Sequence, residues 1–246
     1  MTADEQTGFE VQIEVDATPE QVWEAISTTH GISSWFLPAE VVDRHITFHH
    51  LPGETSAAEI TDLDAPRRLR FIEDDGAQAT EFLIEARAGG TCVMRVVGFG
   101  FGGKGAEDGW TAALFNLKLY LEHFTGQHSF QVLAGQIVPG PQSRAWDALQ
   151  AAVGVDDPAV GARVTATAEG AAPLKGVVEG RLERMITMRL DEPAPGIGFV
   201  GIGGPDEETV YAVLRTYFFG PGADELAARD EPAWRALVAE RVGVAD

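Results

Sequence analysis

The stretch Asp108–Phe124, DGWTAALFNLKLYLEHF, is the longest strongly apolar run in the chain that lacks an internal proline and has only one glycine, near its start. Trp110, Ala113, Leu114, Leu117, Leu121 and Phe124 recur at helical spacing, so at 100° per residue they form one broad apolar stripe. Thr111, Lys118 and Glu122 gather on a narrow polar strip. Asn116 and His123 share a third line beside Tyr120. A helix apolar on two flanks must be gripped from more than one side, so the strands that precede it decide the fold.

Those strands are legible. Phe9, Val11, Ile13 and Val15 alternate with Glu10, Gln12, Glu14 and Asp16, the period of a strand with one wet face. Thr18 is placed to cap a helix, with Pro19 at its first position and Gln21 at capping-box spacing; the helix should run to about Thr28 and be broken by Gly31. Ile32 to Phe36 reads as a further short turn of helix before Pro38. From Val41 to Gly98, short β-branched and aromatic runs are divided by Pro52-Gly53, Asp64-Ala65-Pro66, Asp75-Gly76 and Gly89-Gly90, which reads as an antiparallel meander. The order strand, short helices, meander, long helix predicts an α+β unit with helices on one face of a curved antiparallel sheet.

Four runs carry a family resemblance: Thr-Pro-Glu-Gln-Val-Trp at 18–23, Ser-Trp-Phe at 34–36, Asp-Ala-Pro-Arg-Arg-Leu-Arg-Phe at 64–71, and Gly109-Trp110 near the start of the last helix. In that order they resemble the START-like helix-grip (SRPBCC) superfamily, in the bacterial branch related to the activator of heat-shock-protein-90 ATPase. The resemblance covers residues 9–125. It implies a seven-stranded sheet wrapped around a long C-terminal helix, with a ligand cavity between them.

The pattern then restarts. Residues 126–142 hold Gly135, Pro139, Gly140 and Pro141, a passage between domains with a new first strand around Phe130 to Val138. Trp146 in Arg-Ala-Trp-Asp-Ala-Leu parallels Trp23 in Gln-Val-Trp-Glu-Ala-Ile. Trp23 and Trp110 are as far apart as Trp146 and Trp234, to within one residue. Thr209–Gly222 parallels Thr91–Gly103 as a strand ending in aromatics and glycine. The expectation is a helix-grip fold duplicated in tandem, with a START-like domain at 1–126 and a second, diverged helix-grip-like domain at 127–246. The second copy lacks a Pro-Arg-Arg-Leu counterpart, and its last helix reads as a shorter one, Pro232 to Val242, so its cavity is expected to be small or closed.

Composition removes several function classes. The 246 residues include 38 acidic and 18 basic side chains, a formal charge of −20 that repels phosphate backbones and anionic lipid, so neither nucleic acid nor a membrane is expected as partner. No apolar run approaches the roughly 20 residues that span a bilayer, and MTADEQTGFE carries no apolar secretion segment. The single cysteine, Cys92, allows no intrachain disulfide. A cytoplasmic protein is the expectation.

The motif search is negative where it is specific. Gly98–Gly103 satisfies G-x-G-x-x-G, but within a meander rather than a βαβ unit, and Gly196–Gly201 matches as well with no helix after it. These glycines read as bends of the last strands, and Gly103-Lys104-Gly105 lacks the Ser or Thr of a P-loop. Of the cluster His45, His49 and His50, the first and second would share one face of a strand, but no third ligand of metal-site spacing accompanies them, and Cys92 falls on the apolar face of its strand with Met94 and Val96. No nucleophile elbow is present. No metal and no cofactor are expected.

A helix-grip cavity implies a carrier or sensor of a small hydrophobic molecule. Trp35, Phe48, Phe71, Phe82, Met94, Leu117 and Tyr120 are its expected walls, with Asn116 and His123 as polar handles. Two alternatives stand beside it: cyclase or hydrolase-like chemistry on a polyketide-type substrate, with His123 as the general base, and a module that interacts with a chaperone or with itself.

Overall fold

The computed structural model describes residues 7–51, 53–101, 103–204 and 209–242. Pro52 of the Pro52-Gly53 turn and Gly102 of the glycine-rich run lie outside them. The chain divides at Gly126/Gln127 into two compact units.

The first unit opens with β1 (Thr7–Val15), whose alternation continues into two short helices, α1 (Pro19–Ser27) and α2 (Thr29–Ser33). The capping box forms: Thr18 Oγ1 accepts from the Gln21 N–H at 3.3 Å, and the Thr18 N–H donates to Gln21 Oε1 at 2.8 Å. Gly31 is not the breaker that the sequence suggested. The chain turns at Thr28, whose extended backbone (φ −119°, ψ 151°) ends α1 and caps α2, with its hydroxyl accepting from the Gly31 N–H. Gly31 lies inside α2 because the two helices touch there; a Cβ on it would meet Glu24 O at 2.1 Å.

Six strands follow: β2 (Ala39–Val42), β3 (His45–His49), β4 (Thr55–Asp64), β5 (Arg68–Glu73), β6 (Ala79–Ala86) and β7 (Cys92–Phe99). Together with β1 they form a seven-stranded sheet in the order β1-β7-β6-β5-β4-β3-β2, antiparallel throughout. Register shifts in β1 and between Ile60 and Asp62 of β4 add local twist.

The long helix α3 runs Gly103–His123. It starts five residues before the apolar run that announced it, because Lys104 to Asp108 supply a polar first turn. Its stripe is inside: Leu114, Leu117, Leu121 and Phe124 are buried, and Ala112, Asn116, Leu119 and Tyr120 are buried beside them. Each buried Leu contributes about 1.5–3 kcal/mol. Lys118 reaches from the helix to Glu14 O of β1 at 3.3 Å and pairs with Glu122 one turn on. The unit is thus an α+β helix-grip fold.

The second unit repeats the order. β8 (Ser129–Pro139) precedes α4 (Gln142–Val153), as β1 precedes α1. A meander of β9 (Arg163–Ala166), β10 (Leu174–Leu182), β11 (Met185–Glu192), β12 (Gly196–Gly203) and β13 (Thr209–Phe219) leads to α5 (Ala223–Val242). The sheet order is β8-β13-β12-β11-β10-β9, the first sheet with one edge strand fewer. In both sheets the first strand pairs with the last, which encloses the meander in the same topology and makes the tandem relation a property of the backbone.

The expectation of a shorter last helix is corrected. The helix α5 has 20 residues against 21 in α3, and Pro232 lies within it rather than at its start. Pro232 reads as a first-turn residue, but Asp224 and Glu225 occupy the first turn, where acidic side chains suit the helix dipole. Trp146, Trp234, Phe218 and Leu149 share one buried cluster with the inner faces of β8 and β10–β13. Asp230 is buried in α5, where Arg229 forms a two-point ion pair with it and the Ala172 N–H donates to its carboxylate.

Candidate functional site

In the first unit the inner face of the sheet is set by strand parity. Register pairs Phe48 with Ser56, Phe71 with Thr80 and Ala58 with Glu73. Leu69, Phe71 and Glu73 therefore share one side of β5, and it is the side that carries Ile46 and Phe48 on β3. Where α3 covers that face, its side chains fill the space. Around the first turns of α3 they do not, and a cleft of about 710 Å³ opens there.

Its walls are aromatic. Phe48 and Phe71 come from the sheet, Phe36 from the end of the α2 segment, Phe101 from the link into α3, and Trp110 from α3 itself. The rings hold one another: Trp110 stacks on Phe36 at 5.1 Å, Phe36 meets Phe48 edge-on at 5.9 Å, and Phe48 leans on Phe71 at 5.7 Å. Ala106 and Gly109 leave room on the helix side. A Cβ on Gly109 would have no atom within 4 Å, so its missing side chain contributes directly to the opening.

The mouth is polar and acidic. Glu73, Asp74 and Asp75 end β5 and enter the turn to β6, and all three line the cleft with Gln78 and Thr80. Hydrogen bonds hold this turn: the Glu73 N–H donates to Gln78 O, the Asp74 N–H to Ala57 O, and the Ala77 N–H to the Asp75 side-chain Oδ1, with Gly76 at φ +68°. Burial, reinforced by the charges of Asp75 and Asp74, pushes the Glu73 carboxyl up to about 7. His50, just after β3, also lines the cleft, with its Nε2 2.9 Å from Ser56 Oγ.

The sequence-derived residues divide among distinct places. Phe48 and Phe71 line the cleft. Trp35 and Phe82 lie behind it, around a void of only about 10 Å³ that Phe36, Phe48, Phe71 and Trp110 also bound. Trp35 is fixed by its indole N–H donating to Ala25 O at 2.9 Å. Met94 and Leu117 are wholly buried, and Asn116 is 5% exposed. Tyr120 is buried under the end of α3; its hydroxyl accepts from the Gly126 N–H at 3.2 Å and bonds Ser34. His123 is the exposed last residue of α3, its ring 6.0 Å from that of Phe124. Asn116, Tyr120 and His123 are not among the residues that line the cleft.

Phe36, Phe101, Trp110 and the acidic turn were not anticipated as cleft residues. For Glu73 a signal existed: it follows Leu69 and Phe71 at a spacing of two, a charge on the apolar parity of its strand. For Phe101 none did, since it stands in a glycine-rich link whose path depends on the helix it enters.

The remaining motifs have structural explanations. A Cβ on Gly98 would meet the Phe9 ring at 2.1 Å, and one on Gly100, at φ +76°, would meet Ala77 O at 2.0 Å. These glycines let β1 and the β5–β6 turn approach β7. His49 lies 3.6 Å from Glu40, and among the described residues no group of three His, Cys, Asp or Glu side chains is placed to hold a metal ion. Cys92 is buried, and burial pushes its thiol up. No described helix is long and apolar enough to cross a membrane.

No protein-family model matches the chain, and no curated protein matches it. Solved structures do. The Aha1 dimer from Colwellia psychrerythraea is 18% identical over 48% of this chain and 98% of its own, with a TM-score of 0.43. The AHSA1-like protein from Aeromonas hydrophila is 25% identical over 46% of this chain and 92% of its own, with a TM-score of 0.37. The di-domain ARO/CYC BexL is 12% identical over 97% of this chain and 99% of its own, with a TM-score of 0.43.

Proposed function

We propose that the first unit binds one small, largely apolar molecule in the cleft between its sheet and the start of α3. The observation that supports this reading is the cleft itself, an opening of about 710 Å³ walled by five aromatic side chains beside a helix that is otherwise tightly packed. Apolar walls with a few polar groups at one end are what a ligand site offers, because burial supplies affinity and the polar groups set orientation. Burying a Phe-sized group contributes about 1.5–3 kcal/mol, so a ligand with a few such groups reaches about micromolar affinity.

The test uses a neutral apolar fluorophore, N-phenyl-1-naphthylamine, titrated into the full chain. Saturable binding at one site per chain is expected, and Gly109→Phe should abolish it by filling the cleft from a helix position with free space around it. Absence of saturable binding, or binding that Gly109→Phe leaves unchanged in a folded protein, would sink the proposal.

A further inference from the structure

We propose that the molecule taken by this cleft is an organic cation, its apolar body held between Phe71 and Trp110 and one basic nitrogen at the mouth beside Glu73 and Asp74. The inference rests on the ligand-binding reading above and adds the charge of the ligand to it.

Three observations carry it. First, Glu73, Asp74 and Asp75 all line the opening, and among the described residues no lysine or arginine does. None of the three makes an ion pair among the described residues; Asp75 is engaged by the Ala77 N–H, while Glu73 and Asp74 keep both carboxylate oxygens for another donor. Second, the pairing of Ala58 with Glu73 and of Phe71 with Thr80 places Glu73 on the concave side, so this half-buried acid belongs to the cleft rather than to the outer surface. Third, the walls beside it are built of aromatic rings, and a ring face attracts a desolvated cation through its quadrupole but offers nothing comparable to an anion. An apolar wall alone would accept any hydrophobic molecule. The acids decide among them, because an anion is repelled at the mouth and a neutral molecule leaves three like charges crowded and unrelieved.

The titration of the site points the same way. Burial, with the charges of Asp75 and Asp74 added to it, holds the Glu73 carboxyl at about 7, so an arriving ammonium group favours its ionised form and displaces a proton. Affinity for a cation should therefore rise between about pH 6 and 8. The other ionisable groups that line the cleft are Asp74 and Asp75 on the same turn and His50 just after β3; α3 contributes Ala106, Gly109 and Trp110, none of them ionisable.

The experiment compares three probes of one shape by calorimetry on the full chain at about pH 8 and physiological salt: 2-naphthylmethylammonium, 2-naphthylmethanol and 2-naphthoate. The ammonium should bind at least about tenfold more tightly than the alcohol, with the carboxylate weakest. In Glu73→Gln/Asp74→Asn the ammonium should lose its advantage over the alcohol, the two being compared on the same variant. Equal binding of ammonium and alcohol overturns the inference and leaves the ligand-binding reading standing. A preference that survives the double substitution also overturns it, since the chain's overall charge of −20 would then be the cause. If none of the three binds, both proposals fall.

Discussion

The indole of Trp110 lies on the ring of Phe36 at 5.1 Å with only 18° between their planes. This stack joins the start of α3 to the segment after α2 and stands at one wall of the cleft. Phe9 at 6.5 Å and Phe82 at 5.6 Å hold the same indole from the sheet. Trp110 is therefore both the pin between helix and strands and part of the opening. Truncating it by Trp110→Ala should cost about 2–4 kcal/mol, somewhat below the figure for a fully buried aromatic because the indole is only partly buried. Urea denaturation would show this as a lower midpoint, and an unchanged midpoint would refute the pinning role.

Gly98 is needed because Phe9 crosses it, with the ring 2.1 Å from where a Cβ would stand. Gly98→Ala should destabilise by about 1–3 kcal/mol through overpacking. Phe9→Leu should recover part of that loss when combined with it, although it destabilises alone. A double-mutant cycle measures the coupling, and strictly additive losses would show that strand conformation rather than the ring is the cause.

Tyr120 and Phe71 separate helix anchoring from ligand contact. Tyr120→Phe removes the hydroxyl that accepts from the Gly126 N–H and bonds Ser34, and should lower stability by about 1 kcal/mol with no change in affinity for the neutral fluorophore. Phe71→Ala should weaken that binding by about tenfold or more. Reversal of the two effects in a fluorescence titration would return Tyr120 to the wall of the site.

Glu73 makes a pH signature. Its carboxyl stands at about 7 in the folded chain against an ordinary value of 4.5, so the folded state holds the proton more tightly than the unfolded one. Its contribution is complete below about pH 4.5 and is lost as pH rises through about 7. Glu73→Gln should thus leave stability unchanged near pH 4 and raise it near pH 8, by about 1 kcal/mol once solvent screening of a half-buried group is allowed for. Denaturation midpoints at the two pH values test this, and a variant less stable than the parent at pH 8 would contradict the crowding of these acids.

Gly109→Ala should add about 0.5–1 kcal/mol, since the position is helical, has no neighbour within 4 Å of a Cβ, and needs no left-handed backbone. Thermal unfolding would register the gain. A loss would mean that the close environment of this helix start differs from the one described.

Much of the fold was readable before any coordinates, for reasons that are local. The capping box at Thr18 and Gln21 depends on four successive residues, the alternation of Phe9 to Val15 on a repeat of two, and the α3 stripe on a repeat of 3.6. The tandem arrangement was readable because tryptophans recur at matched spacing. The errors came where one residue has two meanings. Pro232 reads as a helix start and lies inside α5, and Gly31 reads as a breaker and is a contact point between helices.

The sequence by itself determined which faces are apolar and in what order the elements come, because those are periodicities written along the chain. Only the tertiary structure decided where α3 stops covering the sheet. Trp110, Phe101 and Phe36 converge from distant segments, and Asp74 and Asp75 reach the same opening through a turn. A cleft is the space that packing leaves unfilled, and no single segment encodes it: its position depends on the separation of surfaces that lie far apart in the chain.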